Sequence, residues 1–279
     1  MAKKKKNGSL STISEQRSML CTNLSFAASE AYKLLRTNIM FSLPEQKCRV
    51  IGVTSAVRNE GKSTTSVNLC YTLAETGKKV LLIEADMRLP NVAKRLRLNP
   101  TPGLSNLLVG LSNGNSVLQD SGIFENWKVV TAGDIPPNPS ELLGSEPMRV
   151  TIDTFSKGFD FIVIDLPPVN IVSDGLVVSR LTDGIIMVVR KDYSYKQSVK
   201  EAVSQFKLSD AKLLGFVMTH VDGPGKSYSK YGKYGKYGKY GKYGGKTGYG
   251  YGYGYGHSKG ADPSAKSEKS KDSGVSNGD

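Results

Sequence analysis

The middle of the chain alternates between two patterns of apolar residues. Short runs of consecutive apolar residues predict buried strands at 50–54, 80–83, 128–130, 161–164, 185–189 and 213–218. Between them, helical spacing or helix-forming composition predicts helices at 27–42, 62–75, 146–155 and 194–208. Apolar strands separated by helices are typical of a mostly parallel sheet covered by helices on both faces. The pattern therefore predicts an α/β fold whose ligands bind at the carboxyl ends of the strands.

The pattern stops at both ends of the chain. Residues 1–26 are polar and include the run Lys3–Lys6, and residues 223–279 are mostly Gly, Lys, Tyr and Ser. Segments of this composition bury too little apolar surface to offset the entropy of ordering them. We therefore expect one folded domain at 27–222, between a basic N-terminal segment (1–26) and a disordered C-terminal tail (223–279).

The cysteines, the apolar runs and the basic ends of the chain indicate the cellular environment of the protein. The three cysteines, Cys21, Cys48 and Cys70, have neither paired nor metal-like spacing, and we recognise no signal peptide. These features predict a reduced, cytosolic protein. No apolar run approaches the roughly 18 residues of a membrane span. The basic ends favour an anionic membrane surface or nucleic acid, although the tail lysines would equally serve to keep the tail soluble.

Residues 56–63, Ala-Val-Arg-Asn-Glu-Gly-Lys-Ser, fit the pattern of a phosphate-binding loop with Ala in place of the first Gly. They follow a predicted strand and open a predicted helix, which is the context that the motif requires. Lys62 is expected to reach the β- and γ-phosphates of ATP, and Ser63 to bind Mg²⁺. The predicted nucleotide-binding residues are Arg58, Asn59, Glu60, Gly61, Lys62, Ser63 and Thr64.

Carboxylates end two other predicted strands. Asp165 follows the strand at 161–164, while Glu84 and Asp86 follow the strand at 80–83. Because the ends of parallel strands meet at one edge of the sheet, we expect these side chains beside the loop. Asp165 is expected to organise Mg²⁺ with Ser63, Glu84 to act as the base for a phenol, and Asp86 to assist metal or phosphate positioning. The predicted catalytic residues are Lys62, Glu84, Asp86 and Asp165, and the predicted metal ligands are Ser63, Asp86 and Asp165.

The tail carries an unusual row of phenols. A Lys-Tyr-Gly triplet repeats through 230–243, and Gly-Tyr alternation follows to Tyr255. From residue 226 onward the net charge is +7, out of +13 for the whole chain. A flexible twenty-residue segment typically spans about 25 Å, enough to enter an adjacent site. We expect the tail to be the enzyme's own substrate, with phosphoacceptors Tyr228, Tyr231, Tyr234, Tyr237, Tyr240, Tyr243, Tyr249, Tyr251, Tyr253 and Tyr255.

Together these motifs resemble those of the bacterial tyrosine kinases (BY-kinases) that regulate capsular and exopolysaccharide synthesis. Residues 55–63 are similar to the family's Walker A motif, 84–88 to its Walker A′ motif and 164–168 to its Walker B motif. Residues 30–36 resemble its Glu-x-x-Arg-x-x-Arg assembly helix, and 139–143 are also family-like. The resemblance runs from about residue 30 to residue 222, with the tyrosine cluster following.

The resemblance implies a protein-tyrosine kinase with a P-loop NTPase fold that uses ATP and Mg²⁺. It implies a cytoplasmic, Gram-positive type of kinase that a transmembrane adaptor of the polysaccharide co-polymerase type recruits to the inner face of the plasma membrane and activates. Subunits would form a homo-oligomer, with a ring as one form, through Glu30, Lys33 and Arg36. Each subunit would phosphorylate its neighbour's tail, and a tyrosine phosphatase would reset it. No specific nucleic-acid partner is expected.

The chain departs from the family pattern at several positions. Arg58-Asn59 stands where the family usually has Pro-Gly, and Glu84 stands where the first Walker A′ carboxylate is usually Asp. Lys33 replaces the first Arg of the assembly helix and lacks its bidentate fork. Thr219 stands where related ATPases often place an Asn near the adenine base.

Two other functions compete with this interpretation. A partitioning- or division-site ATPase would carry Lys at the start of its loop, where this chain has Val57. Such an ATPase would also have no use for the row of tyrosines. Alternatively, Lys interleaved with Tyr could bind nucleic acid, or the Tyr/Gly repeats could self-associate.

Overall fold

The computed structural model describes residues 23–221. Seven strands form one sheet in the order β3-β4-β2-β5-β1-β6-β7. All neighbouring strands are parallel except β3 and β4, which are antiparallel. The strands are β1 Arg49–Ser55, β2 Val80–Glu84, β3 Gln119–Asp120, β4 Trp127–Val130, β5 Phe161–Asp165, β6 Gly184–Arg190 and β7 Leu213–Thr219.

Helices connect the strands and cover the sheet. The longer helices are α1 Phe26–Ser42, α2 Lys62–Ala74, α7 Glu146–Phe155 and α9 Lys196–Leu208. The shorter ones are α3 Val92–Leu96, α4 Leu104–Leu108, α5 Gly114–Val117, α6 Pro139–Leu143 and α8 Asp174–Ser179. No helix between residues 23 and 221 has both the length and the apolarity needed to cross a membrane.

Alternating side chains of the central strands supply two hydrophobic cores. In β2, Leu81 and Ile83 contribute to the core that also contains buried residues of α7 and α9. Leu82 points into the opposite core, which also contains residues of α1 and α2. Because both faces of the central strands are covered, these strands read as continuous apolar runs rather than as alternating ones. The predicted α/β fold with a mostly parallel sheet is confirmed.

The sheet brings the three predicted motifs to one edge. β1 and β2 both pair with β5, so that Val53 and Glu84 lie opposite Asp165 in the register. The loop after β1, the carboxylates after β2 and the last residue of β5 therefore share the carboxyl end of the sheet. This is the position at which open α/β sheets bind their ligands.

Candidate active site

The phosphate-binding loop has a backbone that favours particular residues. Asn59 has a φ of 63° and Gly61 a φ of 98°, both in the left-handed region. Asn tolerates this region better than most residues, and Gly has no Cβ to penalise it. A Cβ on Gly61 would also lie 3.2 Å from the Thr219 methyl group. A side chain at Gly61 would therefore strain the backbone and would require the Thr219 methyl group to move by a few tenths of an ångström.

Glu60 supports this loop from behind. Its side chain is fully buried, accepting a hydrogen bond from the Val57 N–H at 2.8 Å and another from the Ser194 hydroxyl. The Thr219 hydroxyl donates to the Glu60 carbonyl at 2.7 Å. Arg190 donates to the Asn59 carbonyl at 3.2 Å. Glu60 was predicted to bind nucleotide, but the structure turns its side chain inward, where it holds the loop in shape.

Lys62 opens α2 and lies between two carboxylates. Its Nζ is 2.7 Å from Asp86 Oδ2 and 3.8 Å from Asp165 Oδ2. Burial favours loss of the Lys62 proton, but attraction to Asp165 and Asp86 outweighs it and raises the pKa of Lys62. The side chain is therefore a cation at neutral pH, held where the sequence places the phosphates.

Asp165 is fully buried at the end of β5. Its Oδ1 accepts a hydrogen bond from the Ser66 hydroxyl at 3.2 Å, whereas its buried Oδ2 accepts none within residues 23–221. Burial raises the pKa of Asp165, although Lys62 opposes this effect. A buried carboxylate oxygen that lacks a hydrogen bond suits a hard cation, because Mg²⁺ prefers oxygen ligands. Asp165 and the buried hydroxyl of Ser63 thus fit the predicted Mg²⁺.

Glu84 does not reach the cleft. Its fully buried carboxylate accepts hydrogen bonds from the backbone N–H groups of Asn91, Val92 (2.6 Å) and Ala132 (3.3 Å). Burial raises the pKa of Glu84, and these N–H donors oppose that rise. The prediction of Glu84 as the base therefore disagrees with its position. The end of β2 explains the difference: the strand stops at Glu84, and without regular strand geometry the two carboxylates need not share a face. Glu84 turns toward α3 and the end of β4, and Asp86 turns toward Lys62.

The residues that line the cleft between the loop and α3 are more often cationic than anionic. Its volume is about 240 Å³, and it is lined by residues that include Arg58, Asn59, Gly61, Lys62, Ser63, Asp86, Arg88 and Arg95. Thr64, also predicted to bind nucleotide, is half-buried on α2 and is not part of this lining. With four cationic side chains against one carboxylate in its lining, the cleft suits a polyanion such as a nucleotide triphosphate.

Two arginines of the cleft were not assigned by sequence reasoning. Arg88 pairs with the buried Asp174 through its Nε at 3.0 Å, which fixes it across the cleft. The Nε of Arg95 is buried without a hydrogen-bond partner in the described chain, and burial lowers the pKa of Arg95. Arg88 lies two residues after Asp86, within the motif at 84–88, and this position was a usable signal. Arg95 lies on the five-residue helix α3, which was not predicted.

The predicted assembly residues lie on α1 and contact their own subunit. Lys33 Nζ is 2.9 Å from Glu30 Oε1 on the same helix. Arg36 donates to the Thr72 carbonyl at 2.6 Å and lies 3.6 Å from the Glu75 carboxylate. Assembly through Glu30, Lys33 and Arg36 stays a prediction. The ten predicted phosphoacceptor tyrosines lie outside the described residues.

Known proteins share both the sequence and the fold of this chain. Residues 48–212 match the family model described as AAA domain. Tyrosine-protein kinase YwqD of Bacillus subtilis (strain 168) is 36% identical over 202 residues, which are 72% of this chain and 83% of that protein. The crystal structure of the chimerical protein CapA2B2 superposes with a TM-score of 0.68 at 35% identity, covering 73% of this chain and 89% of that one.

The kinase domain of the Escherichia coli tyrosine kinase ETK has a TM-score of 0.66 at 30% identity, covering 70% of this chain and 78% of that one. The family match at 48–212 includes the loop and both acidic motifs. The chain belongs to the bacterial tyrosine-protein kinases.

Proposed function

We propose that this kinase transfers the γ-phosphoryl group of ATP to the tyrosines of its own C-terminal tail, in trans, and thereby regulates capsular or exopolysaccharide synthesis and export. The observation that carries the proposal is a cleft at the carboxyl edge of the sheet in which Lys62 lies beside Asp86, with the buried Asp165 behind it. This cleft suits a nucleotide, and the tail supplies ten phenols on the same chain.

Different residues of the cleft have different roles in the proposed reaction. A phenol oxygen of the tail attacks the γ-phosphorus, the bond from that phosphorus to the β-phosphate oxygen breaks, and ADP leaves with the electron pair. Lys62 neutralises the β- and γ-phosphates, exchanging its ion pair with Asp86 for them. Arg58, Arg88 and Arg95 add positive charge to the same cleft. Positioning and charge stabilisation supply most of the rate of phosphoryl transfer.

Asp86 replaces Glu84 as our candidate for the base. It is the only carboxylate among the residues that line the described cleft, and it lies beside Lys62. When Lys62 engages the phosphates, the Asp86 carboxylate becomes free to accept the phenol proton. Ser63 and Asp165 would hold Mg²⁺, which neutralises charge on the phosphates when it is bound.

The tail also suits regulation by charge. Each phosphate adds about −1.5 to −2 charges near neutral pH, so four or five would cancel the charge of the tail. We propose that this reversal releases the kinase from its oligomer, or from a transmembrane adaptor that activates it at the inner face of the plasma membrane. A tyrosine phosphatase would restore the starting state. Exposed Leu34 and Phe41 on α1 support an assembly surface beside Lys33 and Arg36.

A mixed assay tests the central proposal. Wild-type kinase is incubated with Mg-ATP and a mass-tagged full-length Lys62→Met acceptor, with and without the cytosolic segment of the adaptor. We expect phosphotyrosine on the acceptor between residues 228 and 255. The matched control is a Lys62→Met acceptor whose ten tail tyrosines are Phe, which should remain unmodified. An unmodified acceptor tail during continued ATP hydrolysis would contradict the proposal.

A further inference from the structure

A second concave surface lies at the edge of the sheet, formed by α9, β7 and the end of β6. We call it the β7 groove; its volume is about 720 Å³. Its apolar lining comprises Val189, Val199, Val203, Phe216 and Met218. Phe216 and Met218 are 53% and 59% exposed. β7 is the last strand of the described sheet, so its outer edge is unpaired within residues 23–221.

The rim of the β7 groove is basic. Lys196, Lys200 and Lys207 line it at spacings of four and seven residues, which places them along one face of α9. Arg190 and Lys191 add two more positive charges, and Asp192 is the single acid in the described lining. Lys196, Lys200 and Lys207 make no ion pair or side-chain hydrogen bond within residues 23–221. An apolar floor under uncompensated cations suits a ligand that is both aromatic and anionic.

The chain itself supplies such a ligand after phosphorylation. A phosphotyrosine combines an aromatic ring with a group of about −1.5 to −2 charges. In each Lys-Tyr-Gly unit this turns a net charge of +1 into about −0.5 to −1. The unphosphorylated repeat is therefore repelled by the basic rim, and the phosphorylated repeat is attracted.

The first tail tyrosine follows closely after β7, one of the strands that form the groove. β7 ends at Thr219, and Tyr228 follows nine residues later. Nine extended residues reach up to about 30 Å. The seven residues of β7 span about 23 Å. The first repeats are therefore within reach of the β7 groove of their own subunit.

We propose that the β7 groove binds the tyrosine-phosphorylated form of residues 228–243, which contain the Lys-Tyr-Gly repeat, and rejects the unphosphorylated form. The inference rests on the proposed function, because it requires that the tail becomes phosphorylated. Two residues of the groove, Arg190 and Ser194, also hold the phosphate-binding loop through Asn59 and Glu60. Occupation of the groove by a phosphorylated tail is thus linked to the shape of the nucleotide site, which gives the product a route to regulate the kinase.

Synthetic peptides separate this inference from kinase activity. A fluorescent peptide of residues 228–243 is prepared with its tyrosines unmodified or phosphorylated. Its binding to the full chain is measured by fluorescence anisotropy in the absence of ATP. Mass spectrometry verifies beforehand that the full chain is unphosphorylated. We expect the phosphorylated peptide to bind at least tenfold more tightly, and its affinity to fall as salt is raised. Equal affinity of the two peptides would overturn the inference, but it would leave the proposed kinase reaction untouched.

Matched variants locate the binding surface. The double variant Lys200→Gln/Lys207→Gln should weaken phosphopeptide binding at least tenfold, and Phe216→Ala should weaken it severalfold. The double variant Lys47→Gln/Lys157→Gln removes two exposed lysines elsewhere and should bind like wild type. Wild-type affinity in Lys200→Gln/Lys207→Gln would refute the site. Binding of anionic phosphatidylserine vesicles through these lysines, without phosphopeptide binding, would also refute it and indicate a membrane surface instead.

Discussion

Replacing Glu84 by Gln distinguishes a structural from a catalytic role for this buried carboxylate. Glu84 Oε1 accepts the N–H groups of Asn91 and Val92, and Oε2 accepts that of Ala132. Gln keeps one carbonyl oxygen for the first pair but turns an amide NH₂ toward the third N–H. Leaving one buried donor unsatisfied costs about 1–3 kcal/mol. For a domain of this size that corresponds to a fall in Tm of roughly 2–12 °C.

The assay compares unfolding and catalysis in the same preparations. Thermal and urea unfolding should show the loss of stability in Glu84→Gln. Replacement of the exposed Glu45 by Gln should change the free energy of unfolding by less than about 0.5 kcal/mol. At a temperature well below Tm, kcat for tail phosphorylation should stay within a few-fold of wild type. Loss of a general base would instead lower kcat about 10²–10⁴-fold. A loss of that size with unchanged stability would refute our assignment of Glu84.

Three further predictions address the site and the surface of α1. Asp165→Asn should raise the stability of the nucleotide-free protein by roughly 0.5–2 kcal/mol near neutral pH, as functional-site replacements often do. Burial raises the pKa of Asp165 in the folded protein above its ordinary pKa of 3.8. The favourable contribution of Asp165 to the free energy of unfolding is therefore complete below pH 3.8 and is lost as pH rises through the pKa of the folded state. Urea unfolding at several pH values should therefore show that Asp165→Asn exceeds wild type in free energy of unfolding by less as the pH is lowered. A difference that does not change with pH would contradict this prediction. Glu60→Ala should raise the Kd for ATP about tenfold or more, since a charged hydrogen bond contributes about 1.5–3 kcal/mol to the loop; unchanged calorimetric affinity would speak against this support. Leu34→Glu should lower the oligomer mass in light scattering without lowering Tm. Leu111→Glu, at an exposed apolar residue outside α1, serves as the control. An unchanged mass in Leu34→Glu would remove α1 from the assembly surface.

Much of the fold follows from apolar patterning alone. The six predicted strands and four predicted helices are present, because buried runs such as those of β2 and β5 leave few alternatives for packing. The short helices α3 to α6 and α8 were not predicted as helices. Elements of four to six residues carry too few turns to show a helical period. Tertiary contacts, such as the hydrogen bonds from α3 to Glu84, define their positions instead.

The candidate site was only partly accessible from sequence. Motif spacing located Lys62, Asp86 and Asp165, because strand order and parallel register bring their elements to one edge. The spacing could not show which of two carboxylates separated by one residue would face the cleft. The structure shows that Glu84 faces away from the cleft, because the backbone N–H groups of Asn91 and Ala132 bind its carboxylate. Ala132 lies far from Glu84 in the sequence, and Asn91 follows a turn that was not predicted. Arg95 was not assigned because its helix, α3, is too short to show an apolar period in the sequence.

The most direct test of the account is intact-mass spectrometry of the full chain after incubation with Mg-ATP, with and without the cytosolic segment of the adaptor. We predict a ladder of phosphoryl additions that maps to Tyr228–Tyr255 and is absent in Lys62→Met. Measurable ATP hydrolysis with no addition under either condition would contradict the central claim.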